Sequence, residues 1–188
     1  LHTSPEFFLK DLLSRGDFDN IFTINFSFRD EPSSPIHRSQ FLMLEWYRKN
    51  HHYKKIMDDV ENLISYTLQE GLKILPLNDK VSSHLLNGHV VRKTMQEIFL
   101  EVLQIDILEY LTLSSIKKLL RQFPEVPIPS EETPMEWDDY FFLLYLNKIE
   151  PFLTQYPYLI IYEFPSPLSA LSTLKKEDPR VCERFELY

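Results

Sequence analysis

The chain has 188 residues, 44% hydrophobic and 14% aromatic, which is enough apolar surface for a folded core rather than a disordered tail. Its three glycines, Gly16, Gly71 and Gly88, lie too far apart to build a G-x-G-x-x-G turn, a Walker phosphate loop or a G-x-S-x-G elbow; the lone Cys182 excludes an internal disulfide and any multi-cysteine zinc site. Twenty basic against 28 acidic side chains leave a net charge of −8, which argues against a broad electrostatic grip on nucleic acid.

No apolar run reaches the roughly 18 residues needed to span a membrane. The first residues, Leu1-His2-Thr3-Ser4-Pro5-Glu6, lack the basic start and apolar stretch of a signal peptide. The chain opens without Met and stops inside an apolar, strand-like run, Arg184 to Tyr188, so the expectation is a piece of a longer protein.

In chain order, Pro5 to Arg15 reads as a short helix. Ser4 is placed to cap it, Pro5 suits its first position, Gly16 stops it, and Phe8, Leu9, Leu12 and Leu13 form its apolar stripe. Ile21 to Arg29 alternates as a strand, with Phe22, Ile24, Phe26 and Phe28 on a face expected to pack in a core and Thr23, Asn25, Ser27 and Arg29 on the other. Asp30 to Gln40 is a Pro- and Ser-rich loop, unusually long for a hairpin, and long ordered loops tend to carry function. Phe41 to Arg48 reads as the return strand. Phe41, Met43, Glu45 and Tyr47 share one of its faces, and a carboxylate and a phenol among Phe and Met suggest a pocket wall.

Tyr53 to Leu72 is helical, with Ile56, Val60, Leu63, Ile64 and Leu68 on one stripe. Val90 to Leu103, Ser114 to Phe123 and Met135 to Ile149 also read as helices. The Pro- and Glu-rich segment between the last two reads as a surface connection, with Glu131-Glu132 solvated. Tyr158 to Phe164 is a strong apolar strand broken by Pro165-Ser166-Pro167, and Val181 to Tyr188 is a final strand, with Cys182 read as a small buried residue. The order helix, hairpin, helices, strands predicts an α+β fold with an antiparallel sheet flanked by helices. His51-His52 and the pair His84, His89 have no metal-ligand spacing and read as surface residues.

The informative stretch is Phe28-Arg29-Asp30-Glu31, then His37, Phe41 and Glu45-Trp46-Tyr47. Arg29 ends a strand on its polar face with a planar fork suited to phosphate or carboxylate. Glu31 shares its parity and can accept from an amine. His37 can reach phosphate oxygens from the loop, and Phe41 can offer a flat face to a base. Such a hairpin could hold a nucleotide against a sheet without glycines. Taken singly, each residue also has an ordinary reading: Arg29 and Glu186 as solvated strand-end charges, Phe41 as core, Glu45 as a half-exposed sheet carboxylate.

As a set, these residues resemble motif 2 of the class II aminoacyl-tRNA synthetases. Thr3-Ser4-Pro5-Glu6 and Met43-Leu44-Glu45-Trp46-Tyr47-Arg48 are similar to the lysyl branch. Within it, the wording is nearest the lysyl-tRNA synthetase paralogues that attach β-lysine to elongation factor P, as are Tyr162-Glu163-Phe164-Pro165 and Arg180 to Glu186. The resemblance implies one partial catalytic domain over 1–188, with motif 2 at 21–48, a helical insertion at about 53–150 and return strands at 158–188. It implies ATP and magnesium as cofactors, lysine or (R)-β-lysine as substrate, elongation factor P as acceptor, a cytoplasmic location, and a homodimer for the full-length protein. By the same carry-over, Arg29 is the catalytic arginine on the α-phosphate and the amino-acid carboxylate. Glu31, His37 and Phe41 join Arg29 in binding ATP. Glu6 takes the substrate's amino group, Glu45 and Tyr47 take its distal ammonium, and Glu186 is a magnesium ligand.

His37-Arg38-Ser39-Gln40-Phe41 stands where the family usually has His-Asn-Pro-Glu-Phe. Motif 1, a second metal carboxylate and the motif 3 arginine are not in the chain, so the chain alone is expected to be inactive. Two rival readings stay open. One is the core of a true lysyl-tRNA synthetase, with tRNA-Lys as acceptor. The other is a non-catalytic synthetase-like module that binds a ligand or partner.

Overall fold

Pro5 and Gly16 bracket the first helix, as their backbone preferences dictate. The computed structural model describes residues 1–30, 32, 34–35, 37–74, 88–129 and 134–188. Glu31, His84 and Glu131-Glu132 lie outside these residues. The chain divides into two compact units, Leu1–Ile56 and Met57–Tyr188.

In the first unit, α1 (Glu6–Arg15) ends at Gly16, whose φ of 86° is the left-handed conformation that a glycine adopts without a Cβ penalty. Its N-cap is Pro5, not Ser4. Ser4 stands one residue earlier, where its Oγ accepts the Glu6 amide at 3.0 Å. Leu9 is buried and Leu12 and Leu13 half-buried, but Phe8 is 64% exposed and leaves the expected stripe. It sits off to one side of the face that Pro5, Leu9, Leu12 and Leu13 define at 3.6 residues per turn.

Strands β1 (Asn20–Phe28) and β2 (Gln40–Arg48) pair antiparallel, with Thr23 opposite Glu45, Ser27 opposite Phe41 and Phe28 opposite Gln40. Arg29 lies one residue past β1, yet its amide still donates to Ser39 O at 3.0 Å. The register confirms the two-faced alternation but not the core expected for one face. Phe22 is 70% exposed, Ile24 61%, Phe26 48%, Leu42 62% and Leu44 40%. A two-stranded ribbon has one layer only, and among the described residues of this unit no second layer covers that side.

The second unit contains most of α2 (Tyr53–Ile74) and a three-stranded sheet in the order β3-β4-β5. Val91–Thr94, expected to be the start of a helix, is strand β3, parallel to β4 (Leu159–Pro165). The helix α3 (Met95–Leu103) begins only after Thr94, which accepts the Glu97 amide on its side chain while the Glu97 carboxylate accepts the Thr94 amide. This reciprocal cap fixes the start and frees the preceding valines for the sheet. Strand β5 (Val181–Leu187) pairs antiparallel with β4. The α+β class with antiparallel pairing therefore holds, and β3 adds one parallel partner.

Helix α4 (Leu113–Leu120) starts in a second capping box, between Thr112 and Ser115. The single helix expected over 135–149 is instead α5 (Trp137–Leu144), a π-helical turn (Tyr145–Ile149) and α6 (Glu150–Leu153). Pro151 lacks the N–H that would close an α-helical bond to Asn147, and the Glu150 amide bonds Tyr145 O in the wider turn. The core is continuous here: Phe99, Phe141, Leu144, Ile149, Leu159, Ile161 and Cys182 are fully buried. The near-continuous apolar run of β4 matches a strand covered on both faces. Cys182 points its thiol at Phe164 O, 3.3 Å away, as a small core residue. Between Tyr162 and Phe164 the ladder bulges. Glu163 there takes a φ of 56°, is 8% exposed and pairs with Lys175 at 2.7 Å.

Candidate functional site

The polar face of the hairpin gathers Thr23, Asn25, Ser27 and Arg29 from one strand side and Phe41, Met43, Glu45 and Tyr47 from the other, because cross-strand partners share a face. At one end the Arg29 guanidinium lies over the Phe41 ring, 5.5 Å from its centroid. Arg29 is exposed, pairs with no carboxylate among the described residues, and carries a fork whose shape suits an anion. The flat ring and the planar cation form a surface suited to a base and a phosphate.

About 13 Å further along β2, at four residues' rise, a second group of polar side chains forms. Glu45 accepts from the Ser4 hydroxyl on one carboxylate oxygen and from the Tyr47 hydroxyl on the other, the latter at 2.8 Å. No cationic side chain among the described residues pairs with Glu45. Burial, then the hydrogen bond to Glu45, then the charges of Glu45 and Glu6, raise the Tyr47 phenol above its ordinary pKa, so it remains a proton donor at neutral pH. Glu6 is therefore within electrostatic reach of this pair, and its carboxylate also meets Lys10 at 2.5 Å across one turn of α1. Two carboxylates, a phenol and a hydroxyl make an acceptor-rich cluster suited to an ammonium group.

The sequence points to Ser4 only as a helix cap, whereas its Oγ links the start of α1 to Glu45. Only the long-range pairing of residue 4 with residue 45 makes this visible, and no local pattern encodes it.

His37 sits in a tight turn with Ser34, its ring Nδ1 3.0 Å from the Ser34 hydroxyl and its amide bonded to the same oxygen. It is exposed and not drawn into either cluster. Glu31 lies outside the described residues. Glu186 belongs to the second unit, on β5, flanked two residues away on either side by Arg184 and Tyr188. One of its oxygens pairs with Arg184 and the other accepts from the Tyr188 hydroxyl at 2.9 Å.

Among the described residues no three His, Cys, Asp or Glu side chains converge to hold a metal ion. An all-protein cage is therefore not built from them. A carboxylate has about four lone-pair directions, so Glu186 keeps acceptor capacity beyond its two partners. One hard oxygen ligand fits magnesium carried on phosphates, since that ion commonly binds through one or two carboxylates and the phosphates themselves. No helix among the described residues is long and apolar enough to cross a membrane.

Comparison with known proteins fits this geometry. The chain is 32% identical, over all of its length, to the elongation factor P–(R)-β-lysine ligase of Vibrio cholerae, of which it covers 52%. It is 33% identical to the enzyme of that name from Yersinia enterocolitica, with 99% of this chain and 51% of the relative covered. For the one from Photobacterium profundum the figures are 32%, 99% and 51%. The chain thus spans about half the length of the curated relatives it matches. The description of the tRNA synthetases class II (D, K and N) matches residues 1–188 from end to end. A chain that matches this family from its first residue to its last belongs to the class II tRNA synthetases of the D, K and N group.

Proposed function

We propose that the full-length protein activates a lysine-type amino acid with ATP and transfers it to a lysine side chain of elongation factor P in the cytoplasm. The observation that carries this reading is the polar face of the hairpin, with Arg29 over Phe41 at one end and Glu45, braced by Ser4 and Tyr47 and paired with no cation among the described residues, at the other. The two units are read as parts of one catalytic domain, completed by chain beyond these residues, and the full-length protein as a homodimer.

In the first step a carboxylate oxygen of the amino acid attacks the α-phosphorus of ATP in line. The new O–P bond forms as the bond to the β-phosphate oxygen breaks, and pyrophosphate leaves. In the second, a deprotonated lysine amine of the acceptor attacks the activated carbonyl, an amide forms and AMP leaves. Little covalent work falls to the protein. Arg29 holds the two anions together and stabilises charge that spreads over the phosphate; Phe41 stacks on adenine, with Glu31 and His37 as further ATP contacts. Glu6 receives the amino group near the reacting carboxylate. Glu45, with both oxygens oriented, receives the distal ammonium beside Tyr47. Glu186 would hold magnesium, which would supply charge neutralisation at the phosphates.

Pyrophosphate exchange on the full-length protein with α-lysine and (R)-β-lysine tests this reading. Glu45→Gln is expected to weaken the amino acid by about two powers of ten, the lower end of the cost of removing one partner of a buried charge pair, with ATP affinity little changed. Arg29→Ala is expected to abolish exchange with either isomer. Unchanged amino-acid affinity in Glu45→Gln sinks the ammonium assignment, and absence of exchange in the wild type points to a non-catalytic module. Transfer to tRNA-Lys instead of elongation factor P would identify the lysyl-tRNA synthetase alternative.

A further inference from the structure

The side chains of Arg184 and Glu186 on β5 and of Tyr188, the residue just past it, project on one face, two residues apart. Their spacing lets both neighbours reach the same carboxylate. Arg184 gives one guanidinium nitrogen to Glu186 and the other to Leu168 O at 3.0 Å, while its plane lies 4.9 Å over the Phe164 ring. The Tyr188 hydroxyl takes the second carboxylate oxygen. The Tyr188 backbone exchanges two 2.8 Å hydrogen bonds with Leu159, which anchors the residue to the central strand.

Behind Tyr188 lies Tyr145, in the π-helical turn, with ring centroids 6.2 Å apart. Tyr145 is 3% exposed and its hydroxyl has no hydrogen-bond partner among the described residues. Burial first, and the neighbouring Tyr188 hydroxyl second, raise its pKa, so its proton stays on. A buried donor without an acceptor is costly unless a small motion supplies one, and the Tyr188 oxygen is an acceptor left open by its donation to Glu186. The wider turn that Pro151 imposes is what carries Tyr145 to this place.

We infer that Tyr188 is a positioning residue for Glu186, and that the buried Tyr145 hydroxyl commits the Tyr188 proton to that carboxylate. The Tyr188 hydroxyl donates to Glu186, so the carboxylate is held as an acceptor in one orientation, with Arg184 fixing its other oxygen, and a small motion of the Tyr145 hydroxyl onto the open Tyr188 oxygen sets that direction of donation. Groups that orient a metal ligand act in this way without touching the metal. The inference rests on the reading of Glu186 as a magnesium ligand.

The test measures ATP binding by calorimetry, without amino acid, across a magnesium chloride titration and in EDTA, on the full-length protein. Tyr188→Phe keeps the ring and is expected to lower apparent magnesium affinity about tenfold, the low end for loss of a group that orients a metal ligand, with ATP binding in EDTA and amino-acid affinity unchanged. Tyr145→Phe, which removes only a buried hydroxyl, is expected to cause a smaller loss in the same parameter, one that does not add to that of Tyr188→Phe in the double variant. It also carries the test if Tyr188→Phe folds poorly. A magnesium dependence lost in Glu186→Gln but kept within roughly twofold in both tyrosine variants overturns the positioning role alone. A Glu186→Gln protein with normal magnesium dependence overturns the underlying assignment, and this inference with it.

Discussion

The hairpin unit and the second unit differ in where they put their apolar side chains. In Met57–Tyr188 the large hydrophobics converge: Phe141 stacks between Phe99, Trp137 and Tyr145 at centroid distances of 5.6, 5.2 and 5.7 Å, and all are buried. In Leu1–Ile56 the residues that carry the proposed chemistry share one face of a ribbon whose other face, led by Phe22, Ile24 and Leu42, is open. Charge divides the same way. Residues 1–56 have eight basic and seven acidic side chains, residues 57–188 twelve and 21. The near-neutral unit holds the groups suited to phosphate and ammonium, and the acidic unit holds the core. The phosphate- and ammonium-binding groups and the main core are thus carried by different stretches of chain, with only the proposed magnesium ligand Glu186 in the second unit, and substitutions in each are expected to read out differently.

The largest effect tests the core side of this division. Phe141→Ala in the 188-residue chain is expected to cost about 3–5 kcal/mol, whereas Phe22→Ser, on the open face, is expected to stay within about 0.5 kcal/mol, both read by urea denaturation. Equal losses would show that the hairpin face is part of the same cooperative core. Thr94→Ala comes next: it removes the cap that separates β3 from α3 and is expected to cost about 1 kcal/mol by the same assay, with Thr94→Ser recovering most of it. Gly16→Ala sharpens the hairpin side. A Cβ there meets only Lys49 Nζ at 3.9 Å, so the penalty comes from the φ of 86° and not from crowding. It is expected to be about 1 kcal/mol, and a neutral result would place α1 outside the hairpin's folding unit.

The smallest effect is electrostatic. The hydrogen bond from Lys93 lowers the Glu101 pKa, and that from Arg180 lowers the Asp178 pKa. A carboxyl with a depressed folded pKa contributes stability that is present above its unfolded pKa and lost as pH falls through its folded one. Stability is therefore expected to decline below about pH 4.5, weakly, because both pairs are near the surface, and less in high salt. Thermal melts from pH 6 to 3 at two salt concentrations check the sign; a flat profile removes these pairs from the account of the second unit.

Local pattern determined much of this protein. The alternation of 21–29 and 41–48 fixed the hairpin and the shared face of Arg29, Phe41, Glu45 and Tyr47, because a period of two leaves no other arrangement once the strands pair. Pro5, Gly16 and Pro151 acted through their own backbone restrictions. The Thr94–Glu97 spacing is also legible in the sequence as a helix start, which leaves Val91–Thr94 to the sheet. Tertiary structure alone decided the rest. Whether an apolar face is covered depends on which layers meet, so the exposure of Phe22 and Ile24 could not be read from their alternation. That Ser4 reaches across 41 residues to Glu45, that Glu163 is buried in a left-handed bulge against Lys175, and that Tyr145 stands behind Tyr188 follow from contacts between segments distant in sequence. Such contacts form only when the chain closes on itself, and no local propensity encodes them.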